Sequence, residues 1–473
     1  MEDKDYIALS LEQQQLVTTE QAWHYHIVPK QNGEKLHLYT DDSGQADSEE
    51  LEMLFGKTVV LEEENADVIR KTLSTYYRRE RSNTADQLTY SGDSKDFIKT
   101  LISEAKALDS SDIHIETYDE RCRVRIRIDG KLVERYTIEK RDYPAIVNKV
   151  KIMANLDIAE KRLPQDGRIF FEDGGKKFDI RVSVLPTLHG EKLVLRLLSN
   201  DATNIDINQL GFGEKDLHNY LEAVKKPHGI ILISGPTGSG KTTTLYATLK
   251  ILNETTRNIL TIEDPIEYTL EGINQVQLKE NIGMNFNTAL KSFLRQDPDV
   301  IMLGEIRDAD TAAMAIRFSL TGHLVLSTIH TNSAWDIITR LVDMGVPSYL
   351  VANTMSMAVA QRLVRKLCPH CKKKSSFDPK LFPGKFKPYK NIAHHYEPVG
   401  CDECFYTGYK GRIAIYEVIP IDPELGENIK LGHFEVNELL KERGIETLAE
   451  NAFHLFDKGE TSLEEIYPLL LNF

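Results

Sequence analysis

No stretch of this chain approaches the ~20 uninterrupted apolar residues of a membrane-spanning helix. The best candidate, residues 221–234, is broken by lysines, a proline and a glycine. Basic residues are outnumbered, 58 Lys and Arg against 72 Asp and Glu in 473 residues, and aromatics make up only 8%. A formal net charge of −14 argues against a protein that coats nucleic acid through a basic surface, while leaving room for a local basic patch. Residues 1–15 carry four acidic side chains and no apolar segment, so they read as neither a signal nor a transit peptide, and the chain is expected in the cytoplasm. Cysteine is scarce too. Four of the five fall in two C-x-x-C pairs, which in a reducing compartment points to metal rather than disulfides. Solenoid or propeller repeats and long low-complexity runs are missing. What is present, 41% hydrophobic residues over this length, suffices for two to four domains with real cores at ~100–200 residues each.

Residues 6–77 alternate short apolar runs (26–29, 36–38, 58–61) with amphipathic stretches ending at 66–73, the pattern of a small α+β module. Residues 78–94 are polar and charged and read as a linker. From 95 to 108, Phe97, Ile98, Leu101, Ile102, Ala105 and Leu108 recur at helical spacing. Strand alternation follows. In residues 122–128 the even positions are apolar and the odd ones are Arg123, Arg125 and Arg127, with Asp129-Gly130 as a type I′ hairpin signal. Cys122 is thereby assigned to the core face as a packed thiol, and the arginine stripe to a solvated face. A second strand-rich passage covers 168–198, and a polar, hinge-like segment covers 199–208. Beyond Gly211, apolar strands alternate with helices, the signature of a parallel sheet covered on both faces.

The chemistry concentrates there. Ile230-Ile231-Leu232-Ile233-Ser234 reads as a buried parallel strand and runs directly into Gly235-Pro236-Thr237-Gly238-Ser239-Gly240-Lys241-Thr242, a complete P-loop followed by Thr243 and a helix. Glycines let backbone N–H groups converge on phosphate oxygens, and the helix directs its positive end at the same anion. Lys241 would reach the β- and γ-phosphates and Thr242 would ligate Mg²⁺. A glycine-rich turn matching by accident would lack the strand before and the helix after it.

Two further strands end in carboxylates, Glu263-Asp264-Pro265-Ile266-Glu267-Tyr268 after 258–262 and Gly304-Glu305-Ile306-Arg307-Asp308 after 299–303. In an open α/β sheet, ligands bind at such strand ends. One acid there is needed to hold Mg²⁺ or its waters, and another to orient or deprotonate the attacking water. Helix N-terminal carboxylates are the ordinary alternative, and Glu267 and Asp308 fit that role better. A fourth strand runs from His323 to Ile329 and leads to His330-Thr331-Asn332. His330 is placed to sense the γ-phosphate, whereas His323 fits a satisfied core histidine equally well. Cys368-Pro369-His370-Cys371 and Cys401-Asp402-Glu403-Cys404 provide four thiolates for tetrahedral Zn²⁺ with no open position, and Lys366, Lys372, Lys373 and Lys374 would offset the charge. Free thiols or a redox C-x-x-C are the alternatives, and the latter lacks a thioredoxin-like context. His370 is read as a bystander.

Taken together these motifs resemble the secretion ATPase superfamily that powers type II secretion and type IV pilus assembly. The resemblance runs from about Ser111 to Val418. It includes Ser111-Asp112-Ile113-His114-Ile115-Glu116, Arg162-Leu163-Pro164-Gln165-Asp166-Gly167-Arg168, Arg181-Val182-Ser183, His189-Gly190-Glu191, the Asp box from Thr261 to Glu267, a variant Walker B at Gly304 to Asp308, and the His box. Ala360-Gln361-Arg362-Leu363-Val364-Arg365, the tetracysteine element and Thr407-Gly408-Tyr409-Lys410-Gly411-Arg412 complete it.

This resemblance implies an α/β chain: a small N-terminal α+β docking module (1–77), a linker (78–94), a PAS-like α+β domain (95–205) and a RecA-like ATPase domain (206–473) carrying a zinc-binding insertion (366–413). It implies a homohexamer on the cytoplasmic face of the inner membrane, docked through the N-terminal module to a membrane partner and working on a membrane platform protein, with ATP, Mg²⁺ and Zn²⁺ as cofactors. Direct nucleic-acid binding is not expected. By the same resemblance Glu263 is the catalytic base candidate and Glu305 the Mg²⁺-linked carboxylate. Arg168 and Arg181 reach the phosphates, and His330 sits near the γ-phosphate. The tetracysteine element favours the assembly and secretion branch over retraction ATPases, and no cyclic-dinucleotide motif is found near the N-terminus. The leading expectation is a type II secretion motor; type IV pilus assembly, DNA uptake, a scaffold with little turnover and, weakest, a zinc-ribbon nucleic-acid translocase are the alternatives.

Overall fold

The structure, a computed structural model, describes residues 7, 9–14, 16–33, 35–41, 48–77, 88–89, 94–173, 176–197, 206–383, 386–388 and 390–471. Most of the expected linker, and of the hinge-like segment at 199–208, lies outside them. The chain divides into two compact units, one of residues 1–93, 115–125 and 133–144, the other of 94–114, 126–132 and 145–473. Among the described residues no helix is long and apolar enough to cross a membrane.

In the first unit, the N-terminal module is α+β as its apolar runs require. Strands Ile27–Asn32 and Leu36–Thr40 pair antiparallel, and Val59–Glu63 adds in parallel beside the second. Helices Thr19–His24, Ser48–Phe55 and Ala66–Tyr76 cover them over a core of Val28, Leu38, Leu51, Ile69 and Leu73. The arginine stripe was expected on a solvated face, and the structure corrects this. Glu116, 3% exposed, accepts from Arg125 Nε (2.8 Å) and Arg123 Nε (3.1 Å), and Arg123 also reaches Glu134 (3.1 Å). Cys122 is fully buried, as its phase on the strand demands.

In the second unit, helix Ser94–Ala107 buries Ile98, Leu101, Ile102 and Ala105, the stripe its spacing specifies. At Asp129-Gly130 both residues have positive φ (47° and 87°), which the type I′ turn needs. Asp112 takes Arg196 (2.9 Å) and Arg127 (3.4 Å). Burial pushes its carboxyl up, but the bonds and charges of Arg196, Ser111 and Arg127 hold it below its ordinary value. Strands Gln165–Asp173, Lys176–Thr187 and Gly190–Leu197 form an antiparallel meander in which Arg168, Arg181 and Arg196 stand in register across one face.

The second unit also holds a seven-stranded sheet in the order Asn274–Gln277, Ile259–Glu263, Val300–Leu303, Leu324–Ile329, Gly229–Ser234, Met355–Leu367, Tyr409–Pro420. All neighbours are parallel except the last pair. The central strands are buried along their whole length, which is why they read as continuous apolar runs rather than alternating ones. Helices Lys241–Leu252, Phe286–Phe293 and Ala309–Leu320 follow strands of this sheet in βα order. Register aligns Ser234 with Ile329 and Ile262 with Leu303, so the P-loop, Glu263, Glu305 and His330 all emerge at one carboxyl edge.

Candidate phosphate site and tetracysteine cluster

The P-loop leaves the central strand through Gly235 at φ 151° and enters its helix through Gly240 at φ 87°. A Cβ on Gly235 would stand 2.4 Å from the Gln361 backbone carbonyl, so no other residue fits there, while at Gly240 the positive φ strains any side chain and a Cβ would press on Gln361 Nε2 at 2.8 Å. Gly240, the N-cap of the helix, offers no side-chain acceptor, so the first-turn N–H groups are left for an anion, between exposed Pro236, Thr237 and Gly238 and exposed Thr242. Lys241 Nζ donates to the carbonyls of Gly235 (2.8 Å) and Pro236 (3.0 Å) across the loop mouth. Burial lowers its pKa from the ordinary lysine value, with Glu305 opposing and Arg362 adding to the shift.

Glu305 is drawn to this edge by backbone bonds. Ile306 N–H donates to the Thr328 carbonyl (2.8 Å) and Thr328 Oγ1 to the Gly304 carbonyl (2.8 Å), tying the Walker B turn to the His-box strand. Its carboxylate then pairs with Arg307 and with His330 Nε2 (3.3 Å). His323 is a structural histidine: its Nδ1 lies 2.8 Å from the Phe318 carbonyl and 3.0 Å from Thr321 Oγ1. Asp308 caps helix Ala309–Leu320 by accepting from Thr311 N–H (2.8 Å), as expected. Glu267 does not. It lies at no helix terminus and instead faces Arg181 Nη1 at 3.5 Å, while Arg181 Nη2 donates to the Ile266 carbonyl. Arg181 is thus brought against the Asp box. Arg168, one strand away and half exposed, meets Asp179 at 3.4 Å.

Glu263, 3% exposed, is enclosed by three donors. Thr261 Oγ1 (2.5 Å) and Gln275 Nε2 (3.1 Å) reach one oxygen, and the Tyr246 hydroxyl reaches the other.

Sequence reasoning missed the role of Gln361. Its Nε2 donates to the Ser239 carbonyl (2.9 Å), and its Oε1 accepts from Thr244 Oγ1 (2.9 Å), which also meets the Tyr416 hydroxyl (3.0 Å). Arg362 beside it donates to the carbonyls of Gln361 (3.0 Å) and Asn332 (2.9 Å), joining this strand to the His box. The only signal was membership in the Ala360 to Arg365 motif. Gln361→Leu keeps the volume, takes the amide donor from the buried Ser239 carbonyl and leaves the Thr244 hydroxyl to Tyr416 and the Gly240 carbonyl. We expect about 1–3 kcal/mol of lost stability and weaker nucleotide binding, read by thermal melting and calorimetric titration; unchanged ATP affinity would show that the P-loop holds its shape without this glutamine.

The four cysteines converge. Their sulfurs all lie within 4.8 Å of one another, with Cys368–Cys401 at 3.9 Å, Cys371–Cys404 at 3.7 Å and Cys401–Cys404 at 3.8 Å. Thiolates ~2.3 Å from a common centre at tetrahedral angles stand about 3.8 Å apart, so the set fits Zn²⁺. Backbone N–H groups of Gly400 (3.2 Å), Cys401 (3.2 Å) and Gly408 (3.3 Å) point at Cys371 and Cys404 sulfurs. A Cβ on Gly408 would stand 2.4 Å from Pro398, and Gly400 has φ 104°, so both knuckle glycines are required. His370 is exposed and outside the cluster.

The profile of the Type II/IV secretion system protein family spans residues 88–468. The type II secretion system ATPase E of Vibrio cholerae is 46% identical over 376 residues, covering 78% of this chain and 74% of that protein. The type IV pilus assembly ATPase PilB of Myxococcus xanthus is 45% identical over 398 residues, covering 82% and 70%. The crystal structure of the pilus retraction motor PilT with bound ADP superposes with a TM-score of 0.54 at 26% identity, covering 78% of this chain and 96% of that one. With its strand, P-loop, strand-end carboxylates and His box in this order, the chain belongs to the type II/IV secretion system protein family.

Proposed function

We propose that the chain is the ATPase motor of a type II secretion system, hydrolysing ATP to assemble a pseudopilus. The observation that carries this is the convergence of Lys241, Glu305, His330 and the enclosed Glu263 at the carboxyl edge of a RecA-like sheet, together with the identity to secretion ATPases of that name. Type IV pilus assembly is the second reading, supported by the Myxococcus relative.

In this reading Gly235 to Thr243 cradle the phosphates, Lys241 turns from its loop carbonyls to the β- and γ-oxygens, and Thr242 and Glu305 hold Mg²⁺ directly or through water. Bound Mg²⁺ supplies charge neutralisation on the transferring phosphoryl group. Glu263 takes the proton of the attacking water, and His330, paired with Glu305, reports the γ-phosphate to the Asn332 loop. The four cysteines hold a structural Zn²⁺. The remainder is a homohexamer on the cytoplasmic side of the inner membrane, docked through residues 1–77, with the PAS-like domain (95–205) supplying Arg168 and Arg181 to the ATPase domain (206–473).

A mixing experiment tests the ring. Lys241→Ala and Arg168→Ala chains are each expected to be inactive. Combined under subunit exchange they should regain part of the activity, because a Lys241→Ala subunit lends its arginine to an intact P-loop next door. Verified mixed rings without recovery would assign Arg168 to its own chain. Deletion of residues 1–91 should leave soluble ATPase activity and remove membrane association, read by cell fractionation; full-length-like fractionation would remove the docking role.

A further inference from the structure

We propose that Tyr246, assisted by Gln275, is a positioning residue for Glu263, holding its carboxylate oriented for the attacking water; this rests on the reading of Glu263 as general base. Glu263 has almost no contact with solvent, so nothing but protein donors stabilises its charge. Three side chains do so. Thr261 shares its strand face two residues earlier, Gln275 sits on the adjoining parallel strand opposite Thr261, and Tyr246 comes from the second turn of the P-loop helix.

The shell is itself fixed. Gln275 Oε1 accepts from Leu270 N–H (2.7 Å), which turns its amide nitrogen toward Glu263 and the Tyr268 carbonyl (3.2 Å). The Tyr246 ring packs edge-on against Tyr268 with centroids 4.4 Å apart. An ionised carboxylate accepts about four hydrogen bonds, so three donors leave capacity for one water.

The titratable neighbours keep this arrangement at working pH. Burial and the Glu263 charge push both Tyr246 and Tyr268 well above the ordinary tyrosine value, so Tyr246 remains a donor throughout. Glu267, paired with Arg181, acts on Tyr268, and Glu305 with Lys241 closes the adjoining strand end. Because Tyr246 stands in the helix that begins at Lys241, whatever moves the P-loop helix moves a donor on the base.

The test is steady-state Mg²⁺-ATP hydrolysis by the full chain from about pH 5.5 to 9. Tyr246→Phe keeps the ring and removes one donor to the anion. We expect kcat to fall roughly tenfold with KM for ATP within about twofold, and the acid limb of the kcat profile to move up by about one pH unit. Gln275→Leu should move the same limb the same way, and it carries the test if Tyr246→Phe does not fold. A profile superimposable on the wild type, or a loss confined to KM, would overturn the positioning role. Glu263→Gln in the same assay separates the two claims: wild-type turnover there would sink the base itself, whereas a dead Glu263→Gln beside an unaltered Tyr246→Phe sinks only the positioning.

Discussion

Glu263→Gln should bind ATP as the wild type does and turn it over roughly 10²–10⁴-fold more slowly, the usual contribution of a positioned general base. The shell accommodates the amide. Its oxygen still accepts from Thr261 and Gln275, and its nitrogen faces the Tyr246 hydroxyl, which accepts as readily as it donates. Folding and nucleotide affinity are therefore expected to survive while the proton acceptor is gone. Lys241→Ala should do the reverse, losing affinity first, because the helix beginning at residue 241 forfeits its one cation at the loop mouth. Equilibrium nucleotide binding beside turnover distinguishes the two. Equal loss of ATP affinity in both variants would take Glu263 out of catalysis.

The P-loop was legible because its signature is local: an apolar strand, glycines where the backbone takes positive φ, and a helix start. Strand ends at Glu263 and Glu305 were legible for the same reason. The shell of Glu263 was not, since Tyr246 and Gln275 lie 17 residues before it and 12 after it, and only helix placement and strand register bring them together. Arg123 and Arg125 were misread for a related reason. Alternation tells which face they share but not that Glu116, on the strand before them, lies buried beneath that face. Glu267 likewise found its partner in Arg181, 86 residues earlier, instead of a helix end. Motif membership pointed at Gln361 without saying why, because its bonds to Ser239 and Thr244 span more than a hundred residues.

Converting Cys401 and Cys404 together to serine should reduce bound zinc from about one per chain to near none. Two hydroxyls in place of two thiolates remove half of a closed donor set, and structural zinc in small domains contributes on the order of 10 kcal/mol or more to local folding. The sulfur separations of 3.7–3.9 Å are far from the ~2.05 Å of a disulfide, so oxidation is not the alternative these distances describe. Damage should stay local. Phe377, Phe382 and Phe386 of the insertion pack with Phe453 and Phe456 of helix Leu448–Asp457, an apolar anchor that needs no metal. The knuckles have less to hold them: Cys371 and Cys401 are only partly buried, and Phe405 and Tyr406 sit at positive φ on an exposed tip. The double variant should therefore lose zinc and melt earlier, with new proteolytic cleavage near residues 399–407, while the P-loop still binds nucleotide. Metal analysis, melting and limited proteolysis read these separately; stoichiometric zinc with wild-type melting would remove the cysteines as its ligands.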